Sequence, residues 1–221
     1  MDSGSTTFAE LLQTCPVEAL RLLQFCYEPL RYIHHRRLKE WIPSREIVEI
    51  IGTSKVGWDM LNGSLLKELK LPSNPPTKTL LPRQKLVYAT AHCVHRLIKF
   101  IGAAIFSEEI RRTILRQERH MLMKIIGGEI YQFALRKAVF FHPRDLPFDR
   151  DKVNGKYLAE KIINSGKFCV TACLCDLPVS LQRRFLLKFD PKEYWFFPKY
   201  GDVLQVDSIW KFVERIWNRY C

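Results

Sequence analysis

Gly102-Ala-Ala-Ile-Phe-Ser-Glu-Glu-Ile-Arg-Arg112 lies in the middle of residues 81–141, the stretch whose reading decides the fold. Apolar residues recur at helical spacing on both sides of it, which predicts two long helices in series, hinged at Ser107. Pro82 opens the first, which runs to about Phe106 and would be ~37 Å long if unbroken. Ser107 is placed to N-cap the second, and Glu108 and Glu109 in its first turn complement the helix dipole. Ile110, Ile114, Met121 and Ile125 form one stripe of that helix, widened by Leu115, Leu122 and Ile126. Arg112, Arg116 and Arg119 share a different face, with Arg111 beside them. Gly127-Gly128 ends the pattern before a third helical segment over 129–141. The stretch contains no catalytic arrangement, which points to a protein that holds other proteins in place.

Upstream, Pro16 suits the first turn of a helix reaching Tyr27, with Val17, Leu20, Leu23 and Tyr27 as its core stripe. A basic helix follows through Arg36, Arg37 and Lys39 to Trp41. Ser44 is placed to cap another that Gly52 stops, and a further helix covers 56–69. Pro72-Ser-Asn-Pro-Pro76 reads as a loop. Downstream, His142-Pro-Arg-Asp-Leu-Pro147 reads as a connector. Helical spacing resumes from about Asp151, is weakened at Gly166 and continues to Leu174. Pro178 starts a short helix carrying Leu181, Phe185 and Leu186. Tyr194-Trp-Phe-Phe-Pro198 is either a short strand or an aromatic loop, which periodicity does not separate. Asp207 is placed to cap a last amphipathic helix with Ile209, Trp210, Val213, Ile216 and Trp217.

These elements make a mainly α protein with at most one short β element near the C-terminus. Residues 1–6 read as a loose tail. Residues 7–221 read as a single compact multi-helix domain, with 72–81 and 142–150 as places where it could subdivide.

At 221 residues the chain is long enough to bury a substantial core. Its 47% apolar and 26% charged residues are ordinary for a soluble globular protein. The apolar run over 86–106 contains His92, His95, Arg96 and Lys99. Each Arg or Lys costs roughly 2.5–3.5 kcal/mol at a bilayer centre, so a membrane helix is rejected. Seven irregularly spaced cysteines argue against a disulfide framework and for a reducing, cytoplasmic compartment. The net charge of +12, with a pI near 9.5, admits nucleic acid, acidic protein surfaces or anionic lipid as partners without choosing among them.

Candidate chemical sites are thin. Cys169, Cys173 and Cys175 diverge on a helix and sit among apolar residues, so they read as small buried thiols rather than zinc ligands. His92 and His95 lack a His-Glu-x-x-His pattern or an orienting carboxylate. No phosphate-binding glycine loop, nucleophile elbow or dinucleotide motif is present. The expectation is no enzyme, no metal and no cofactor. A basic helical nucleic-acid-binding protein is the rival reading, resting on Arg31, Arg36, Arg37 and Lys39 and on Arg111, Arg112, Arg116 and Arg119. It lacks a recognisable DNA- or RNA-binding module.

The central segment resembles the SctK family of bacterial type III secretion systems (YscK, PscK, MxiK and OrgA types). The shared pattern is a long apolar helix, Gly-x-x-apolar, a short interruption, then Glu-x-Ile-Arg-Arg. Here Gly102, Ile105, Ser107, Glu108, Ile110, Arg111 and Arg112 fill those places. Weaker echoes are Cys15-Pro16 with Leu20, Leu22 and Leu23, and Arg183-Arg184 between Leu181 and Phe189, followed by Trp195. The basic run 31–39, the high charge and the aromatic C-terminal part depart from the pattern. The resemblance implies a cytoplasmic, non-catalytic helical adaptor at the cytoplasmic face of the inner-membrane apparatus. It would join the cytosolic domain of the SctD-type ring protein to the SctQ-type pods of the sorting platform. SctL-type stalk and SctN-type ATPase would be indirect neighbours, with no specific nucleic acid and no membrane insertion. Candidate partner-binding residues are Arg111, Arg112, Arg116, Arg119, Arg36, Arg37, Trp210 and Trp217.

Overall fold

The structure is a computed structural model that describes residues 8–42, 46, 49, 51, 53–72, 83, 85–141, 155–199 and 206–220. The expected tail, the Ser44 cap, the 142–147 connector and most of the 72–76 loop lie outside the described residues. Twelve α-helices and no strand occur among the described residues, as the mainly α reading requires. Tyr194–Pro198 runs as irregular backbone. The chain divides into two compact units, one of residues up to Ala91 with Leu177–Tyr194, the other of His92–Asp176 with Trp195 onward.

The first unit begins with α1 (Phe8–Thr14) and α2 (Pro16–Tyr27), which has Pro16 in its first turn. The 3₁₀ turn Pro29–Arg31, α3 (His35–Trp41), α4 (Lys55–Glu68) and α5 (Lys85–Tyr88) follow. The core face of α2 is opposite to the one expected. Ala19, Leu22, Phe25 and Cys26 are buried, whereas Val17, Leu20 and Tyr27 are exposed. Both faces are apolar, so hydrophobicity alone does not choose between them. His34 Nδ1 accepts from the Arg36 N–H to cap α3, and Ser54 Oγ accepts from the Gly57 N–H to cap α4. Buried Asn62 is satisfied on both sides, its Nδ2 donating to Trp58 O and its Oδ1 accepting from Leu30 N.

The second unit is built on α6 (Ala91–Ile105), whose residues from Phe100 to Ile105 are all buried. The long helix expected from Pro82 is therefore two helices, α5 and α6, parted at Ala89 and Thr90. The expected second long helix is also two, α7 (Ser107–Arg112) and α8 (Arg116–Ile126). Phe106, not Ser107, occupies the N-cap, and the buried Ser107 hydroxyl caps nothing. Thr113 parts the helices: its N–H reaches back only to Ile110 O, its hydroxyl bonds to Glu109 O, and its backbone turns extended. The stripe splits accordingly, with Ile110, Leu122 and Ile126 buried but Ile114, Leu115 and Met121 exposed.

Gly127, at φ +97°, ends α8 as expected, since a left-handed backbone favours glycine. Then come α9 (Gly128–Arg136), the 3₁₀ turn Ala138–Phe141 and α10 (Gly155–Cys173). Gly166 does not weaken α10; it lies mid-helix against the Ile98 carbonyl of α6. The short α11 (Val179–Leu186) belongs to the first unit, and α12 (Val206–Tyr220) packs on α10 in the second. Asp207 lies in the first turn of α12 rather than at its cap. Ile209, Phe212, Val213 and Ile216 form its buried face. Phe100, Phe133, Phe141 and Tyr220 meet edge-on and stacked, with Phe100–Tyr220 centroids 4.6 Å apart.

Candidate interaction surfaces

The break at Thr113 turns the middle of the chain into an elbow. Ile114 is 81% exposed and Leu115 64%, an uncommon state for two adjacent branched aliphatic residues. Arg111, Arg112, Arg116 and Arg119 around them are all exposed. Arg111 Nη2 donates to Ala134 O at 3.4 Å, which ties the end of α7 to α9. Arg112 pairs loosely with Glu108 at 3.5 Å, both being more than half exposed, a pairing of little energetic worth. The structure thus divides the four arginines between two helices, on either side of Ile114 and Leu115 in the chain, and not on one continuous helix face.

Arg36 and Arg37 sit differently. Arg36 Nη1 pairs with Asp190 at 2.5 Å, and Arg37 Nε donates to Phe189 O at 2.9 Å. His34 N donates to Leu187 O at 2.7 Å, so α3 is laced to the turn after α11. The N–H of Lys192, with Arg36 near by, holds the Asp190 carboxyl below its ordinary value. Part of the basic run therefore serves the first unit's own assembly, which removes charge from a phosphate-binding patch.

Trp210 and Trp217 lie two turns apart on α12, and both are half-buried. Cys169, Cys173 and Cys175 are buried as expected, and burial pushes the Cys169 thiol well up from its ordinary value. Among the described residues no group of three or more His, Cys, Asp or Glu side chains could hold a metal ion. No described helix is long and apolar enough to cross a membrane.

Two cations escaped the sequence reading. Arg184 is 1% exposed and Lys188 3%. Arg184 donates to Phe25 O, Tyr32 Oη and Pro72 O. Lys188 donates to Val87 O and to Ala89 O, and lies 4.9 Å from the Phe25 ring centroid. Charges in a sequence read as surface by default. The only available signal was their helical spacing with Leu181 and Phe185.

Among the described residues the protein is helical, with exposed arginines on either side of an exposed aliphatic pair in the chain. The chain is a member of the YscK family: the family model described as YOP proteins translocation protein K (YscK) matches residues 19–208. It is thus a type III secretion protein, and the resemblance carried by Gly102 to Arg112 holds. No curated protein and no solved structure matches the chain.

Proposed function

We propose that the chain is a non-catalytic cytoplasmic adaptor of the secretion apparatus. It links the cytosolic domain of the SctD-type ring protein to the SctQ-type pods of the sorting platform, beside the SctL-type stalk and SctN-type ATPase. Family membership supports the setting. The observation that carries the contact role is the elbow, where the exposed Ile114 and Leu115 are flanked in the chain by four exposed arginines. Apolar anchors inside a charged rim are the pattern of energetic hot spots, with the charges steering an acidic partner into register. The pairing of Arg36 with Asp190 weighs against nucleic acid as the partner.

The test is charge reversal at Arg112, Arg116 and Arg119 together, followed by co-purification with the ring and pod proteins. Loss of one partner with the other retained, and an unchanged helical circular dichroism spectrum, is expected. A well-folded triple variant that keeps both partners sinks the elbow as a docking site.

A further inference from the structure

A groove of about 320 Å³ opens in the first unit where α3, the end of α4 and α11 converge. Leu69, Leu71, Leu186 and Leu187 line it with aliphatic surface, and Trp41, 41% exposed, stands beside them. Arg37, Arg183 and Glu68 also line it. The Arg183 side chain is exposed and makes no hydrogen bond or ion pair among the described residues, unlike that of its buried neighbour Arg184. Among the described residues the Arg37 side chain bonds through its Nε alone, toward Phe189 O, which leaves its two terminal nitrogens for another acceptor.

We propose that this groove seats an acidic segment of a partner protein, with one or two large aliphatic or aromatic side chains on the leucines and carboxylates on Arg37 and Arg183. Its volume is at the lower end of ligand cavities and suits a side-chain anchor rather than a folded surface. The charges argue for the sign of the occupant. Two guanidiniums outnumber the single carboxylate, and of the exposed charges close by in the chain Lys39, Lys67 and Lys70 outnumber Glu40. Beside an apolar floor an arginine–carboxylate pair is screened less than in open water, and its bidentate geometry adds register. The floor argues for the class. Nucleobases stack on aromatic faces, whereas four leucines with one tryptophan fit an apolar side chain. The proposal deepens the adaptor reading by describing what one unit grips, and it rests on that reading only for where the segment comes from.

The experiment titrates the full chain into a fluorescein-labelled acidic peptide bearing two leucines one helical turn apart. Its lysine-for-glutamate counterpart is run beside it, both read by anisotropy at physiological salt. Saturable binding of the acidic peptide alone is expected, weakened about tenfold or more by Trp41→Ala and by Arg183→Glu. Both substitutions are at exposed positions, and circular dichroism checks that the variants fold. Failure of the acidic peptide to saturate, equal binding of the lysine peptide, or unchanged binding by both variants overturns the proposal. So does Trp41- and Arg183-dependent binding of a single-stranded oligonucleotide or phosphatidylserine vesicles in place of the peptide. Co-purification of the unaltered chain with the ring and pod proteins is read separately. Its failure counts against the adaptor reading and leaves the groove result standing.

Discussion

Gly102 of α6 lies directly against the Ile162 carbonyl of α10, and the relation is reciprocal, with Gly166 of α10 against the Ile98 carbonyl of α6. Each helix thus offers an isoleucine and, one turn later, a glycine, and the glycines let the two backbones touch. A Cβ at either position would fall within 3.0 Å of the opposing carbonyl oxygen, carbonyl carbon and isoleucine Cγ2. Glycine inside a helix ordinarily costs about 1 kcal/mol, so its presence here marks a crossing that no larger residue can make. The same Gly102 sits in the segment that carries the family resemblance.

Gly102→Ala and Gly166→Ala are each expected to destabilise the protein by about 3 kcal/mol, because rigid backbone cannot yield to a methyl group. Gly63, inside α4 with nothing within 4 Å of its Cβ position, is the control. Gly63→Ala should stabilise by roughly 0.5–1 kcal/mol. Urea unfolding read by circular dichroism checks all three, and similar midpoints for Gly102→Ala and Gly63→Ala would remove the crossing argument.

Helix ends were legible where the chain carries punctuation. Pro16 opened α2 and Gly127 closed α8 as read, and Trp41 closed α3. The breaks at Ala89–Thr90 and Thr113–Leu115 have neither proline nor glycine, and helical spacing continues through both, so only tertiary packing reveals them. Which face of α2 is buried was equally hidden, because Val17, Leu20 and Leu23 match Leu22, Phe25 and Cys26 in hydrophobicity. The arginines of the elbow were legible as a group. That Ile114 and Leu115 belong to the surface with them was not, since two aliphatic residues at core spacing read as core.

Removing either buried cation should cost more than removing a surface one. Arg184→Met takes a donor from Phe25 O and Tyr32 Oη in the interior, and Lys188→Met strips Val87 O and Ala89 O at the α5–α6 break. An orphaned buried carbonyl costs about 1–3 kcal/mol, so each variant should lose about 3 kcal/mol of stability. Arg184→Lys should not recover it, because one ammonium cannot span acceptors that a guanidinium fork reaches. Arg183→Met, one residue away and exposed, should change stability by less than about 0.5 kcal/mol. Urea midpoints for the four variants decide the matter.

Alkaline pH should loosen the first unit. Burial pushes both Tyr32 and Tyr88 up to about 12, opposed at Tyr32 by Arg184 and reinforced at Tyr88 by Glu18. Their unfolded value is about 10, so between about pH 10 and pH 12 the unfolded chain has released protons that the folded chain still holds. The stability these neutral phenols contribute is complete below pH 10 and is lost as pH rises through 12. Near-ultraviolet tyrosinate absorbance should show Tyr32 and Tyr88 titrating late, together with loss of helix. Tyr88→Phe should remove one of the late protons and flatten the stability decline.

The elbow makes the sharpest separation between stability and function. A residue exposed to the extent of Ile114 has little to lose on the folded side, so Ile114→Ser and Leu115→Ser should each change the unfolding midpoint by less than about 0.5 kcal/mol. Leu122→Ser, on the buried face of α8, should cost several times more, about 3 kcal/mol, from lost burial and a hydroxyl in the core. Partner binding should rank the other way. If the arginines supply steering and the aliphatic pair supplies affinity, Ile114→Ser should speed dissociation at any salt concentration. Arg116→Glu should instead slow association, and lose its effect as salt rises. Surface plasmon resonance against the pod and ring proteins across a salt series separates these behaviours. An Ile114→Ser protein that associates and dissociates as the unaltered chain does would mean that the exposed pair is incidental surface and the interface lies elsewhere.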